Sequence, residues 1–403
     1  MNNNISKIAI IAMGFGDSTL PLVKALSSHG YAVDCYFISF RKKGAKRQSG
    51  YDQNGLFYFG LHKLTPQNTE GIDFITDFPQ SNFYYCQLLP TAESKNGIIW
   101  PVLFFIPRLI LYLFFLYLKK KHYDFIDCIC QRDFSKLLRK VVKTPFVNST
   151  HEIFVSHQSG NKEIIPTIAN CVDYSGYIRV FSKKAYDDLI KYTSISKDKL
   201  FCVPFGLFET YLSFIERKVA ELNGLSDYIL CIGFITPYKG LDNLYEAIQP
   251  IIGNAHLVVA GYGYHESLNP FYNLKNTIVI NRWISNNEFV NLIRNCKFVV
   301  CPYKSASQSG IPQTAFALGK PIVASAVGAF PDVIENGKTG FIYDPQDIQC
   351  LTHCLSTLTN ESTVYNKMVS NIKDRKFWHK EYSWDLIVSR YTEMIKKIIN
   401  ESQ

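Results

Sequence analysis

The 403-residue sequence lacks several features that would narrow its chemistry at once. Its 11 cysteines are odd in number, scattered from Cys35 to Cys354, and include no Cys-x-x-Cys pair. A zinc ribbon, a dithiol redox centre and a disulfide scaffold are therefore not expected, and the thiols read as reduced core residues. There is no Asp-x-Asp to hold a metal-bound diphosphate and no His-Glu-x-x-His to hold zinc. No apolar run reaches the roughly 20 residues of a membrane span. The nearest, Ile98–Leu118, is interrupted by Pro101, Pro107 and Arg108, so its longest unbroken stretch is Leu109–Leu118. Met1–Ser6 carries no charged leader and Ile8–Met13 is too short for a signal-peptide core, so a cytoplasmic protein is expected. Charged residues make up only 19% of the chain and apolar ones 47%, which excludes a disordered polymer. The length predicts two domains.

What charge there is lies unevenly. Residues 1–205 hold 25 Lys/Arg against 16 Asp/Glu, whereas residues 206–403 hold 18 of each, so the first half carries the whole net charge of +9. The runs Arg41-Lys42-Lys43-Gly44-Ala45-Lys46-Arg47 and Lys119-Lys120-Lys121 concentrate it. That asymmetry suits a half facing anionic lipid or an acidic acceptor; solvated loops are the plainer reading of each run. No aromatic–basic interleaving accompanies them, so nucleic acid is not an expected partner. Ile98–Leu118 is expected as a helix, either buried or lying on the inner face of a membrane with its lysines near headgroups.

The pattern along the chain is that of an α/β protein with two doubly wound parallel sheets. Lys7–Met13 reads as a buried strand, Gly14–Asp17 as a glycine turn, Ser18–His29 as a helix closed by Gly30, and Ala32–Ile38 as the next strand. Short strands follow at Phe125–Cys130, Pro145–Asn148, Ile178–Ser182 and Phe201–Pro204, while residues 41–97 give no clear order. The pattern loosens around Phe205–Ser226, then restarts with the strand Tyr228–Gly233, the helix Leu241–Ile248 and the strand His256–Gly261. It continues through Thr277–Asn281, Asn286–Asn295, Phe298–Tyr303, Pro312–Leu318 and Pro321–Ala324. Ligands of such sheets sit at the carboxyl ends of strands, so two sheets with those ends facing would enclose the site in a central cleft.

Two segments have the chemistry of an anion site. Ser305-Ala306-Ser307-Gln308-Ser309-Gly310-Ile311-Pro312 joins a strand to a helix; small residues let backbone N–H groups approach an oxygen, and the helix dipole adds positive charge. An ordinary capped helix start would look similar. Gly233-Phe234-Ile235-Thr236-Pro237-Tyr238-Lys239-Gly240 fills the corresponding turn after the second domain's first strand, where a lysine can reach phosphate as a point charge. Taken alone, Lys239 would be a solvated surface lysine. Gly14-Phe15-Gly16 and Gly261-Tyr262-Gly263 lack the rest of a dinucleotide fingerprint. His151-Glu152 follows a strand and is either a cleft-wall pair or structural. A cationic and main-chain phosphate site is expected, with no metal and no cofactor.

In order and spacing, Ile232-Gly233 through Lys239-Gly240, Val258–Gly263, Pro302-Tyr303 through Gly319–Ser325, Gly328–Glu335 and Gly337–Pro345 resemble glycosyltransferase family 4. Val180–Ser182, Val203–Phe208 and Gly14–Gly30 resemble its first domain more loosely. The resemblance implies the GT-B fold, with an acceptor-side domain over 1–205, a nucleotide-sugar domain over 226–378, and a last helix over 379–400 crossing back. It also implies sugar transfer from a nucleotide diphosphate with retention at the anomeric carbon and no need of metal. Its paired glutamates are absent, for the matching positions are Ala306 and Thr314, and Phe234 stands where an arginine is usual. A subset of the family carries Ser-Gln-Ser-Gly instead, which implies a variant donor site.

On that resemblance, Lys239, Ser307, Gln308, Ser309, Gly310 and Gly16 hold the diphosphate, and Lys239 and His151 act in catalysis. Thr314 and Gln313 meet the ribose, and Arg282, Trp283 and Ile284 meet the base. The acceptor would be a glycan or lipid-linked saccharide. A catalytically silent nucleotide-sugar-binding subunit and a sugar-nucleotide epimerase remain the alternatives.

Overall fold

A computed structural model describes residues 6–13, 16–39, 60–64, 78, 80–87, 100–129, 135–154, 165, 168–169, 176–374 and 382–402. The first sheet contains β1 (Lys7–Ala12), β2 (Ala32–Ser39), β3 (Gly60–Lys63), β4 (Ser81–Gln87), β5 (Phe125–Ile129), β6 (Phe146–Thr150), β7 (Ile178–Val180) and β8 (Leu200–Cys202). Their spatial order is β3-β4-β2-β1-β5-β6-β7-β8. Every pairing is parallel except that of β3, which lies antiparallel to β4 at the edge. The second sheet contains β9 (Tyr228–Ile232), β10 (Leu257–Gly261), β11 (Thr277–Asn281), β12 (Cys296–Cys301), β13 (Ile322–Ser325) and β14 (Gly340–Tyr343). It is parallel throughout, in the order β11-β10-β9-β12-β13-β14.

The helices are α1 (Gly16–Ser28), α2 (Trp100–Lys121), α3 (Ser135–Val141), α4 (Lys183–Tyr192), α5 (Leu241–Ile248), α6 (Asn286–Asn295), α7 (Ile311–Ala317), α8 (Phe330–Val333), α9 (Ile348–Asn360), α10 (Ser362–Lys373) and α11 (Trp384–Ser402). Several boundaries follow from local chemistry. Ser285 and Glu288 close a reciprocal capping box at the start of α6, and the Ser182 hydroxyl caps α4.

Each central strand is covered on both faces, which is why it reads as an unbroken apolar run. In β1, Ile8, Ile10 and Ala12 join the core that contains α1 and α11, while Ala9 and Ile11 join the core under α2. α11 buries Ile387, Val388, Tyr391, Met394, Ile395 and Ile398 in the first of these cores, so the end of the chain packs on the first sheet. A polar lock pins it there. The Tyr391 hydroxyl donates to Asp127 at 2.9 Å, the Ser149 hydroxyl donates to the same carboxylate at 2.6 Å, and Arg179 pairs with it at 3.1 Å, all buried.

The two crossings between the sheets touch. The Trp384 indole N–H donates to the Leu207 carbonyl at 3.1 Å, and a Cβ on Gly206 would come within 2.6 Å of the Trp384 ring. Residues 41–97, unordered by periodicity, include β3 and β4; the polar Ser81, Asn82 and Gln87 interrupt the apolar signal of β4, and Asn82 donates to Asp34 at 2.8 Å. β14 spans only four residues, too few to show a period. Of the expected segment Ile98–Leu118, residues 100–118 belong to α2, which continues through Pro107, while 98 and 99 lie outside the described residues. No helix among the described residues is long and apolar enough to cross a membrane.

Candidate active site

In the second sheet the chain winds outward from β9 to β10 and β11, then returns to β12 on the other side of β9. Loops that follow two such strands leave in opposite directions and open a crevice at their carboxyl ends, where ligands of wound sheets bind. The loop after β9 carries Lys239 and the loop after β12 carries Ser305–Gly310. Topology thus brings together two segments some 70 residues apart in sequence.

The contact between them is direct. Gly240 takes φ = 64°, and a Cβ there would stand 1.9 Å from the Pro302 carbonyl oxygen, so only glycine lets the two loops approach this closely. Lys239 Nζ donates to the Tyr303 hydroxyl at 2.6 Å and sits 3.8 Å from the centre of that ring. Ser309 lies close enough to the Tyr303 hydroxyl to act on its ionisation, so one phenol stands between the lysine and the serine-rich loop. Burial pulls the Lys239 pKa down to about 8, with Cys301 and Cys231 acting weakly the other way. Among the described residues no carboxylate pairs with this ammonium group. On the far side, a Cβ on Gly328, at φ = 56°, would meet the Ala306 carbonyl oxygen at 2.5 Å, so the turn before α8 backs the loop closely.

The remaining expected residues fall in different settings. Ser307 is half-buried in the loop, and Gln308 Nε2 is buried there without a partner, with the assignment of amide N and O interchangeable. α7 has only seven residues, so its dipole is weaker than a long helix would supply and more of the charge at the crevice rests on Lys239. Thr314 is buried and its hydroxyl donates to the Gly310 carbonyl at 2.8 Å, which leaves it only as an acceptor. Gln313 is buried, its Oε1 lacks a partner, and its carbonyl accepts from Phe208 N at 3.4 Å.

His151 lies just past β6 on the first sheet, 4.6 Å from the Phe181 ring and 5.1 Å from the Phe205 ring. Phe205 meets Phe208 edge-on at 5.8 Å, and a Cβ on Gly310 would come within 2.7 Å of the Phe208 ring. An aromatic column therefore runs from His151 to the serine-rich loop. Burial, helped by Arg179, pulls the His151 pKa down to about 3, so the ring is neutral at physiological pH. Gly16 opens α1 beyond the carboxyl end of β1; Gly14 and Phe15 lie outside the described residues.

Beyond β11, the Arg282 guanidinium is held by Glu221 at 2.7 and 3.0 Å and by Glu288 at 2.9 and 3.2 Å, and these acids push its pKa up. It also donates to the Trp283 carbonyl at 3.1 Å. Its side chain is committed to holding the loop. Trp283 is exposed, with its ring 6.1 Å from that of Phe234, also exposed, and Ile284 packs into the core below.

Sequence reasoning missed Tyr303 and Phe208 as parts of the site, and did not foresee that Phe234 would stand beside Trp283, which it had placed at the base. Tyr303 ends an apolar strand run, where a phenol reads as core. Among the described residues no three His, Cys, Asp or Glu side chains gather as a metal site.

Residues 226–361 match the family described as "Glycosyl transferases group 1", and that stretch contains both loops of the crevice. An uncharacterized glycosyltransferase of Methanocaldococcus jannaschii is 25% identical over 211 residues, 49% of this chain and 59% of that protein. The capsular polysaccharide biosynthesis glycosyltransferase CapM of Staphylococcus aureus is 23% identical over 206 residues, 48% of this chain and 53% of CapM. The chain thus spans between half and three-fifths of these two relatives. Sucrose-phosphate synthase from Thermosynechococcus elongatus superposes with a TM-score of 0.69 at 16% identity, covering 98% of this chain and 100% of its own. Anabaena HepE, in complex with UDP and glucose, superposes with a TM-score of 0.67 at 14% identity, covering 97% and 99%. The fold is GT-B: two parallel-sheet α/β domains. The stretch similar to the glycosyl transferases group 1 model forms the second domain of that fold.

Proposed function

We propose that this chain is a retaining glycosyltransferase that moves a sugar from a nucleotide diphosphate to a saccharide or lipid-linked saccharide acceptor in surface polysaccharide synthesis. The observation that carries the reading is the meeting of Lys239, Tyr303 and the serine-rich loop: a buried ammonium group with no acid partner among the described residues, fixed beside a loop of small residues at the switch point of a wound sheet. Burying a lysine without an anion is costly, and a diphosphate in the crevice would supply the missing charge. Lys239 and the amides of Ser309 and Gly310 neutralise charge building on the departing diphosphate as the glycosidic bond breaks. The departing phosphate oxygen takes the acceptor's proton, and no protein nucleophile and no metal enter the step. Neutral His151 orients the donor sugar from the first domain. The Trp283 loop receives the base, and CapM's role in capsular polysaccharide supports the assignment of pathway class.

A second reading is favoured by one observation. With Ala306 and Thr314 at the positions of the paired glutamates and the Thr314 proton given to Gly310, the site offers no charged grip on the ribose. A nucleotide-sugar-binding subunit without turnover would tolerate that. Incubation with a panel of labelled nucleotide sugars separates the readings: transfer or donor hydrolysis supports the transferase. Binding without change supports the silent subunit, and an epimerised donor would overturn both.

A further inference from the structure

Among the described α-helices, α2 stands out for its exposed large apolar side chains. Leu111, Phe114, Phe115 and Leu118 on one side of α2 are buried against the first sheet. On the other side Leu109, Tyr112, Leu113 and Leu116 are 57%, 41%, 54% and 38% exposed. Their spacing of three, four and seven residues places them in one stripe along the helix. They are four of the twelve exposed large apolar side chains among the described residues, gathered on a single helix. A scatter of single exposed leucines is ordinary, but a contiguous stripe marks a surface that meets something apolar.

The stripe runs into charge. Lys119 and Lys120 are exposed in the last turn of α2, about 16 Å along the axis from Leu109. Lys121 is fixed at the start of the first sheet, where its carbonyl accepts from Lys7 Nζ at 3.0 Å. Lysines at a helix end are favoured by the dipole, which accounts for their presence but not for four exposed apolar neighbours. The same half of the chain carries a surplus of nine Lys/Arg over Asp/Glu.

We infer that the outer face of α2 is an interfacial docking surface for an anionic lipid bilayer, with Leu109, Tyr112, Leu113 and Leu116 entering the headgroup boundary and Lys119 and Lys120 meeting acidic headgroups. Apolar side chains seated at that boundary beside flanking lysines are the arrangement by which a helix lies in a membrane surface without crossing it. Charge complementarity selects this occupant over a second copy of the chain, whose own basic half would be repelled. The surface is separate from the crevice at β9 and β12, so its test does not depend on catalysis.

The experiment is flotation of the whole chain with phosphatidylcholine vesicles, with and without phosphatidylglycerol. Binding is expected only where phosphatidylglycerol is present, falling about fivefold for each lysine removed, so that Lys119→Gln with Lys120→Gln lowers it about 25-fold. Leu113→Gln with Leu116→Gln is expected to lower it about tenfold or more, while the thermal unfolding midpoint of both double variants stays at the wild-type value. Equal binding to both vesicle types overturns the inference, as does wild-type binding by the leucine variant. So does a dimer in sedimentation that the leucine variant dissolves, which would assign the face to a second copy.

Discussion

Replacing Lys239 with methionine should move stability and ligand affinity in opposite directions. The fall of its pKa from 10.5 to about 8 corresponds to about 3 kcal/mol against the charged form in the folded state. At pH 7 the lysine is charged both folded and unfolded, so that penalty is carried in full. Methionine removes the charge at similar length and forfeits the charged hydrogen bond to Tyr303, worth about 2 kcal/mol. The expected net gain is about 1 kcal/mol, or roughly 2 to 4 °C in the unfolding midpoint.

Because the folded pKa lies below the unfolded one, the unfolded chain binds more protons between about pH 8 and 10.5. Wild-type stability should therefore rise with pH through that window, and the variant should lack the rise. Nucleoside diphosphate binding should weaken about ten- to hundredfold in the variant, since one or two charge-assisted hydrogen bonds are lost, while nucleoside binding stays unchanged. In the wild type, affinity should decline about tenfold per pH unit above about 8, with uptake of a proton on binding. Calorimetry in buffers of different ionisation enthalpy reads both effects. Equal loss for nucleoside and diphosphate, or a less stable variant, would refute the reasoning.

Further outcomes follow from the same geometry. Tyr303→Phe removes the hydrogen bond that holds Lys239 beside the serine-rich loop without emptying the core; kcat/KM on a donor the enzyme turns over should fall about tenfold, with a stability change under about 1.5 kcal/mol by thermal unfolding. Gly240→Ala forces a Cβ into the Pro302 carbonyl at a left-handed φ and should cost about 3 kcal/mol or more, read as a lowered denaturant midpoint. The His151 pKa of about 3 lies below its unfolded value of 6.5, so its contribution to stability is complete above pH 6.5 and is lost as pH falls towards 3. His151→Phe should lessen that acid sensitivity, measured as midpoint against pH, and the pH–rate profile above pH 5 should show no limb from this residue.

Several elements were legible in sequence because their causes are local. α5 and α6, and the strand β11, begin and end where their patterns place them, since capping and apolar period act within a few residues. β4 and β14 escaped because polar interruption in one and brevity in the other erase the period. Both loops of the crevice were visible as glycine- and serine-rich breaks after apolar runs, and the resemblance to a known family singled them out from other such breaks.

The sequence by itself determined that two wound sheets would form, that a lysine and a serine-rich loop would each follow a strand, and that no paired acids stand beside them, for these depend on residue type and order. Tertiary structure alone decided that Lys239 is buried rather than solvated, that Tyr303 holds it beside the serine-rich loop, that Arg282 is occupied by Glu221 and Glu288, and that Thr314 has given its proton to the backbone. Those outcomes depend on which segments the strand order makes neighbours, and on how far each side chain is removed from water once they meet. Neither distance along the chain nor local composition encodes them.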